Sequence, residues 1–311
     1  MVSLQKLDAS MFDKVYPLLQ ELDPSLTEHT WQSLFNYRWS REEDYCGYGL
    51  FDDQKIVGFI GLLFSKRVIN HKVEHFCNLT SWVVKEEYRD HSLSMMLPIL
   101  RLKNHTITDL SAIDKVVRIS KRLGFKELDS KIKVLLSLGI FKSKFFAKNL
   151  RFSQDKDIIS KTLKDNDLQL FQDHLPYPHC GHLLAYNSSD YCYVIYTVVD
   201  KYELSHCYIH YISNPELFSK YSLGIRAKIA KSGHTSIVVV DSRMVRGLRL
   251  PLSYELSLLT KLYKSTSLRA EQIDNLYSEL MLLNFTTLPI NFRELLHKLK
   301  LNFLSRLKQT I

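Results

Sequence analysis

The sequence has 311 residues, of which 45% are hydrophobic and 24% charged; this composition is typical of globular proteins and excludes a mainly disordered chain. Its length predicts two domains of about 150 residues each. The net charge of +9 favours an anionic partner such as nucleic acid, acidic lipid or a phosphate-bearing cosubstrate. The basic residues are dispersed and form no arginine-rich tract, which argues against a nucleic-acid partner.

The cysteines predict free thiols. Their number is odd and no C-x-x-C pair occurs, a pattern that fits a reducing compartment better than a disulfide framework. The first residues lack the apolar stretch of a signal peptide, and no run of about 18 apolar residues follows anywhere. We therefore expect a cytoplasmic protein.

The first quarter of the chain predicts a strand, two helices and three strands. Val2 to Leu7 is strand-like, and Asp8 or Ser10 is placed to cap a helix over Met11 to Leu22. Thr27 then caps a second helix. The three strands that follow are Tyr48 to Phe51, Ile56 to Ser65 and Val73 to Val84, joined by turns at Asp52-Asp53 and Asn70-His71.

After Val84 the apolar period becomes helical. Leu93, Met96, Leu97 and Leu100 form one stripe, which predicts an amphipathic helix. A fifth strand (Thr106 to Leu110), a helix that starts at Ser111 or Asp114 and ends at Leu123, a C-capping Gly124, and a strand from Phe125 to Leu128 complete the series.

The second half predicts a similar order of elements. Residues 151–166 are polar and predict a connection, and the elements after it are strands at Gly181 to Tyr186, Tyr191 to Val199 and His206 to Ile212, a helix from Pro215 to Ala230, and a strand from Thr235 to Asp241. No residue-level repeat accompanies this order, so we interpret the second half as a degenerate duplicate of the first. Asn291 to Ile311 predicts a basic amphipathic helix that either packs on the second domain or contacts a membrane surface peripherally.

The stretch from Ser81 to Leu97 carries the chemical signal. A strand ends there, a short polar loop turns and a helix opens, which leaves backbone N–H groups free at a junction where the helix dipole favours negative charge. Arg89, Ser92 and Ser94 would add donors. We expect a pyrophosphate site at this junction.

Here the chain resembles the GNAT superfamily of acyl-CoA acyltransferases. Val84, Tyr88 and Arg89 match the family's valine-ended strand and Y-R-x-x-G-x-G loop, Lys121 to Phe125 resembles its k-L-G-F segment, and Ile56 to Gly61 its central hairpin. The resemblance implies that acetyl-CoA or another acyl-CoA is the cosubstrate. It assigns the cofactor-binding role to Val83, Val84, Arg89, Asp90, His91, Ser92, Leu93 and Ser94, and places the thioester and the acceptor beside Ser81 and Trp82.

The chain departs from the family pattern in the loop and at the catalytic positions. Ser92 and Ser94 replace the two signature glycines, a form that is similar to a bacterial subgroup found around polysaccharide biosynthesis. Asn78 stands where many members carry a glutamate base, and Ser120 stands where many carry a tyrosine acid. Neither side chain can play the usual acid–base role, although Asn78 could orient an acceptor or a water; together with Asp109, these two are the candidate catalytic residues. Among nearby residues, Asp109 and Glu74 are the carboxylates available as bases.

Each of these residues also has a structural interpretation that the sequence leaves open. Trp82 is equally typical of a core strand, Asn78 of a hydrogen-bonded core residue, and Asp109 of a cap for the next helix. The histidines and cysteines between His179 and Cys207 match no zinc spacing, which argues against a metal site.

These observations predict an α/β protein with mixed sheets. We expect a GNAT domain over residues 1–150 and a degenerate GNAT-like, acceptor-side domain with the C-terminal helix over residues 167–311. The expected activity is transfer of an acyl group to an amine or hydroxyl of a small-molecule acceptor, a sugar or glycan precursor by resemblance. Two alternatives remain: an aminoacyl transferase of the FemABX kind, and a catalytically inactive GNAT pair used as a sensor or scaffold.

Overall fold

The computed structural model describes residues 1–128, 130–137, 149–200, 205–257, 260–284 and 288. The chain divides into two compact units, each assembled from two separate stretches of sequence. Unit 1 contains Met1–Leu128 and Thr260–Leu283, and unit 2 contains Asp129–Leu259 and Asn284–Ile311.

The regular elements are numbered in chain order. The strands are β1 (Val2–Leu7), β2 (Gly47–Asp52), β3 (Lys55–Ile69), β4 (Lys72–Val84), β5 (His105–Asp109), β6 (Lys126–Leu128), β7 (Lys131–Leu136), β8 (Arg151–Ser153), β9 (Cys180–Tyr186), β10 (Tyr191–Val199), β11 (His206–Ile212), β12 (Ile237–Asp241), β13 (Ser253–Ser257) and β14 (Lys261–Lys264). The helices are α1 (Phe12–Leu22), α2 (Glu28–Gln32), α3 (Met96–Leu100), α4 (Asp114–Arg122), α5 (Lys156–Thr162), α6 (Asp165–His174), α7 (Pro215–Lys220), α8 (Ser222–Ser232) and α9 (Glu279–Leu282).

Unit 1 is built on a seven-stranded sheet in the order β1-β2-β3-β4-β5-β14-β6. β4 and β5 are parallel, and every other neighbouring pair is antiparallel. The β3–β4 hairpin turns through Asn70 and His71, which both have positive φ as a two-residue type I′ turn requires. One face of the sheet packs on α3, and the other on α1 through residues such as Phe12.

Unit 2 has a seven-stranded sheet of its own, in the order β13-β7-β12-β11-β10-β9-β8. Read from β8 to β13, its strand directions repeat those of unit 1 from β1 to β6, including a single parallel pair, β11 with β12. The apolar face of α8, with Ile225 and Ile229, packs in the same core as Val238 and Val240 of β12. The two sheets thus share the same order of strand directions, and the interpretation of the second half as a degenerate duplicate stays a prediction.

Each sheet contains one strand that lies out of chain order. β14 follows the strands of unit 2 in the chain but lies between β5 and β6 of unit 1. β7 follows β6 directly but lies between β12 and β13 of unit 2. The unit boundary therefore falls after Leu128, whereas the sequence predicted residue 150, and unit 1 includes a return segment, Thr260–Leu283, that the sequence placed in the second domain.

Several predicted elements differ in detail. The polar stretch 151–166, expected to be a connection, contains the edge strand β8 and α5, because Asp155 accepts hydrogen bonds from the backbone of Asp157 and Ile158 and caps that helix. The helix expected from Pro215 to Ala230 is interrupted at Tyr221 and forms α7 and α8. The predicted C-terminal helix, Asn291 to Ile311, lies outside the described residues. Within the described ranges, no helix has both the length and the apolar character needed to cross a membrane.

Candidate acyl-transfer site

The two parallel strands of unit 1 separate at a defined position. β4 and β5 pair from His75 opposite His105 to Leu79 opposite Asp109, where β5 ends. β4 continues to Val84 beside β3 alone. From Thr80 onward, the edge of β4 that faced β5 therefore has no strand partner among the described residues, which leaves backbone N–H and C=O groups available to a ligand.

A β-bulge distorts β4 at the start of this open edge. Thr80 pairs with Gly61 and Val83 with Phe59, so β4 has one more residue than β3 over this interval. Ser81 lies in the bulge with φ of 50°, in the left-handed region that costs a non-glycine residue about 1–2 kcal/mol. Gly61 permits the close approach, since a Cβ there would lie 2.8 Å from Thr80 Cγ2. The bulge thus redirects the strand beside the predicted acceptor residues, Ser81 and Trp82.

The indole of Trp82 brings an unsatisfied donor to the bulge. Its side chain is half-buried against the apolar cluster of unit 1, yet Nε1 is buried and donates to no group in the described part of the chain. A buried donor without an acceptor costs roughly 1–3 kcal/mol. A ligand carbonyl at the open edge would remove that cost.

A buried polar network lies on the sheet next to the open edge. Asn78, 1% exposed, donates through Nδ2 to Glu279 Oε2 and to Leu79 O at 3.2 Å. Thr108 Oγ1 donates to Asn78 Oδ1 at 2.9 Å. Glu279, also 1% exposed, is the first residue of α9 in the return segment. Asn78, where the family resemblance implies a glutamate, is therefore in direct contact with a glutamate from elsewhere in the chain.

The network contains two carboxyl groups that favour the protonated form. Burial, and secondarily the charge of Glu279, raises the pKa of Asp109 to about 7 against the opposing hydrogen bond from the Ser111 backbone. Burial also raises the pKa of Glu279, opposed by hydrogen bonds from Ser111 and Asn78 and by the charge of Lys261. A carboxyl group with a pKa near neutrality is suited to accept and release protons.

Ser120, the third predicted catalytic residue, lies on α4. Its side chain is fully buried, and its hydroxyl has no hydrogen-bond partner among the residues described. Its carbonyl accepts the backbone N–H of Phe125 at 3.0 Å, which closes the helix end where Gly124 has φ of 87°. The predicted C-cap at Gly124 is thereby confirmed, while the catalytic role of Ser120 stays a prediction.

The predicted pyrophosphate loop has a different backbone from the one expected. Glu86–Met95 form a 3-10 helix, and only Met96–Leu100 are α-helical. Pro98 explains the late start, because proline lacks an N–H and is tolerated only in the first turn of an α-helix. A 3-10 helix bonds its amides to carbonyls three residues back, so fewer N–H groups are free than the sequence indicated. The predicted apolar stripe is wrong in part, since Leu93 and Leu97 are both exposed.

The side chains of this loop remain accessible. Arg89 is 57% exposed, with Nη1 3.1 Å from Glu86 Oε1, and Asp90 and His91 are exposed as well. Tyr88 donates to Asp52 Oδ2 at 2.8 Å, which fixes the loop to the end of β2. Ser94 donates to His91 O at 2.6 Å, and Ser92 is half-buried. The phosphate-binding role of these residues stays a prediction.

All five cysteines are free and buried. No group of three or more histidine, cysteine or acidic residues is arranged to hold a metal ion within the described ranges. Glu279 could not have been found from local sequence, because its relevance depends on a contact 201 positions away in the chain.

Comparison with known proteins places the fold. No model of a known protein family matches the sequence, and no curated protein matches it either. Among solved structures, a GCN5-related N-acetyltransferase from Anabaena variabilis is similar at a TM-score of 0.54 and 11% identity, over 85% of this chain and 72% of that one. A GCN5-related N-acetyltransferase from Kribbella flavida is similar at a TM-score of 0.54 and 14% identity, over 85% of this chain and 70% of that one.

A third similar structure contains the GCN5-related glucosamine N-acetyltransferase region of a fungal multi-domain beta-N-acetylglucosaminidase. It has a TM-score of 0.55 and 13% identity over 85% of this chain, which spans 38% of that longer protein. The chain therefore has the fold of the GCN5-related N-acetyltransferases, as its strand order and the parting of β4 from β5 already indicated.

Proposed function

We propose that this protein is an acyl-CoA-dependent acyltransferase whose active site lies in unit 1. The observation that carries the proposal is the open edge of β4 after Leu79, combined with the bulge at Ser81, in a fold shared with acetyltransferases. An extended pantetheine arm could add to that edge as a strand would, through backbone hydrogen bonds along Val83 and Val84.

Two groups could act on the acyl group in this arrangement. The unpartnered indole N–H of Trp82 and a backbone N–H of the bulge could each donate to the carbonyl oxygen of a thioester bound at the open edge, and either would stabilise the negative charge that develops on that oxygen. The acceptor would attack from the side of the sheet that carries Asn78. Attack forms the new C–N or C–O bond and breaks the C–S bond, so that free coenzyme A thiol leaves.

For the donor we propose acetyl-CoA, and for the acceptor an amine or hydroxyl of a small molecule. An amino sugar is the first acceptor to test. The similar fungal region is named as a glucosamine N-acetyltransferase, and the sequence resembles a subgroup found around polysaccharide biosynthesis.

Calorimetric titration with acetyl-CoA tests the proposal. We expect saturable binding by the full chain, and at least tenfold weaker binding by Arg89→Glu, because the substitution reverses the charge at the predicted pyrophosphate loop. Arg118→Glu, an exposed arginine on α4, is the matched control and should bind as the wild type does. Silence of the wild type up to millimolar acetyl-CoA would contradict the proposed function. Equal affinity of Arg89→Glu and wild type would remove only the assignment of the loop.

A further inference from the structure

The return segment of unit 1 is fixed rigidly against the sheet. Arg67 of β3 forms an ion pair with Asp274, and its guanidinium lies 5.4 Å from the centroid of the Tyr277 ring. Trp39 packs edge-on against Tyr277 with ring centroids 5.1 Å apart. The contacts of Asp274 and Tyr277 hold the chain immediately before Glu279 in a defined position.

Glu279 is thereby placed beside the open edge. Its carboxylate contacts Asn78, which precedes by one residue the last paired position of β4, Leu79. Side chains alternate along a strand, so Asn78 and Thr80 point to the same face of the sheet, and Thr80 is the first residue of the open edge. The carboxylate thus lies on one defined face of the sheet, where β4 and β5 separate.

A purely structural role explains this arrangement poorly. Burying an ionisable carboxyl group is unfavourable unless it is paired, and an amide or an apolar residue would fill the same space at lower cost. Hydrogen bonds from Asn78 and Ser111 and the charge of Lys261 favour the ionised form of Glu279, but burial outweighs them and raises its pKa, and the nearby carboxyl group of Asp109 repels a negative charge on Glu279. Buried carboxyl groups of this kind concentrate at functional sites.

We propose that Glu279 is the general base of the acyl transfer and that Asn78 is the positioning residue that orients it, an inference that rests on the proposed function. As the acceptor attacks the thioester, Glu279 takes the proton from the attacking amine or hydroxyl. The C–S bond then breaks, and the proton passes from Glu279 to the departing thiolate, so that free thiol and acylated acceptor are the products. The base thus comes from the return segment of unit 1, in place of the glutamate on β4 that the family resemblance implies.

The pH dependence follows from the groups that surround Glu279. These are Asn78 from β4, Asp109 from β5, Ser111 from the loop after β5, and Lys261 from β14. Because burial raises the pKa of Glu279, its reactive ionised form should accumulate at higher pH than that of an exposed glutamate. The rate should therefore increase with pH as Glu279 ionises and then level off.

Three variants test the inference. Glu279→Gln keeps the shape and removes the base. Glu271→Gln is the matched control, since Glu271 lies in the same return segment and is exposed. The exchanged pair Asn78→Asp with Glu279→Gln moves the carboxylate across the hydrogen bond while keeping one amide and one carboxyl group. Each variant is titrated with acetyl-CoA by calorimetry and assayed for thiol release with glucosamine and with hydroxylamine as acceptors.

We expect Glu279→Gln to bind acetyl-CoA normally and to lose about 100-fold or more in kcat/KM, as is typical when a general base is removed. Glu271→Gln should retain wild-type rates, and the exchanged pair should recover part of the loss. Transfer by Glu279→Gln within threefold of wild type would overturn the inference, as would a loss explained by unfolding in a thermal melt and not recovered by the exchanged pair. A wild-type protein that binds no acetyl-CoA, or binds it and releases thiol with neither acceptor, would overturn the proposed function instead.

Discussion

Asn78 donates a hydrogen bond to the carboxylate of Glu279, a residue 201 positions later in the chain. The contact joins β4 of unit 1 to the return segment. Asn78 and Glu279 together thus stand in for the single glutamate on β4 that the family resemblance implies. A side-chain amide cannot accept the proton of an attacking amine, but it can hold a carboxylate that does so.

We predict that Asn78→Ala moves the acidic limb of the transfer reaction to higher pH. The hydrogen bond from Asn78 lowers the pKa of Glu279, so its removal leaves the buried carboxyl group protonated over a wider range. The measurement is kcat/KM against pH. Asn36→Ala, at an exposed position, should leave the profile unchanged. An unshifted or downward-shifted limb in Asn78→Ala would show that Asn78 does not orient the base.

We predict that Asp109→Asn weakens the dependence of stability on pH. The folded-state pKa of Asp109 is raised from 3.8 to about 7, so the favourable contribution of the protonated group is complete below pH 3.8 and is lost as pH rises through 7. The full loss amounts to at most about 4 kcal/mol, since one pKa unit corresponds to about 1.4 kcal/mol. Urea unfolding at pH 5 and pH 8 measures it. Wild type should lose more free energy of unfolding than Asp109→Asn between these values, and equal losses would contradict the burial of an ionising carboxyl group there.

We predict that Trp82→Phe weakens acetyl-CoA binding by roughly 5- to 10-fold, which corresponds to the loss of one hydrogen bond of about 1 kcal/mol. Trp31→Phe is an informative control, because the Trp31 indole N–H is also buried without a partner among the described residues but lies on α2. Calorimetry on both variants separates the two positions. If Trp82→Phe bound acetyl-CoA as tightly as wild type, the indole would not contact the ligand.

We predict that the fragment 1–150 does not fold, although the sequence alone marked it as a domain. It lacks β14, and without that strand the edges of β5 and β6 have no antiparallel partner. It also lacks Leu262, which is fully buried in the core of unit 1. Residues 1–128 joined by a flexible linker to residues 260–283 should show a cooperative urea transition. A cooperative transition of fragment 1–150 by circular dichroism would be the opposite of our expectation.

Local signals in the sequence predicted local structure well. The turn at Asn70-His71 and the helix end at Gly124 were both predicted, because these residue types favour the conformations observed there. The sequence also predicted the order of the strands of unit 1 up to β5, because these strands lie in the sheet in the order in which they occur in the chain. Pro98 was an equally local signal against the long helix expected after β4. The prediction gave more weight to the helical spacing of the apolar residues there, of which Leu93 and Leu97 are exposed in the structure.

The remaining features depend on contacts between distant parts of the chain. β14 is four residues long, and nothing in its composition indicates that it pairs with β5 and β6 rather than with its sequence neighbours. The same holds for Glu279, which begins a short apolar helix without a distinctive motif. Asp109 was predicted as a base from its place at the end of β5, but its raised pKa depends on burial and on Glu279.

The late position of β14 in the chain has a consequence for biosynthesis. Because synthesis proceeds from the N-terminus, β1 to β6 of unit 1 leave the ribosome long before β14, which lies between β5 and β6 in the sheet. Until translation passes residue 264, β5 and β6 expose edges that could pair with other nascent chains. Unit 1 should therefore acquire its fold only after residue 264 has been synthesised, and chaperone dependence during translation is expected to be highest before that point.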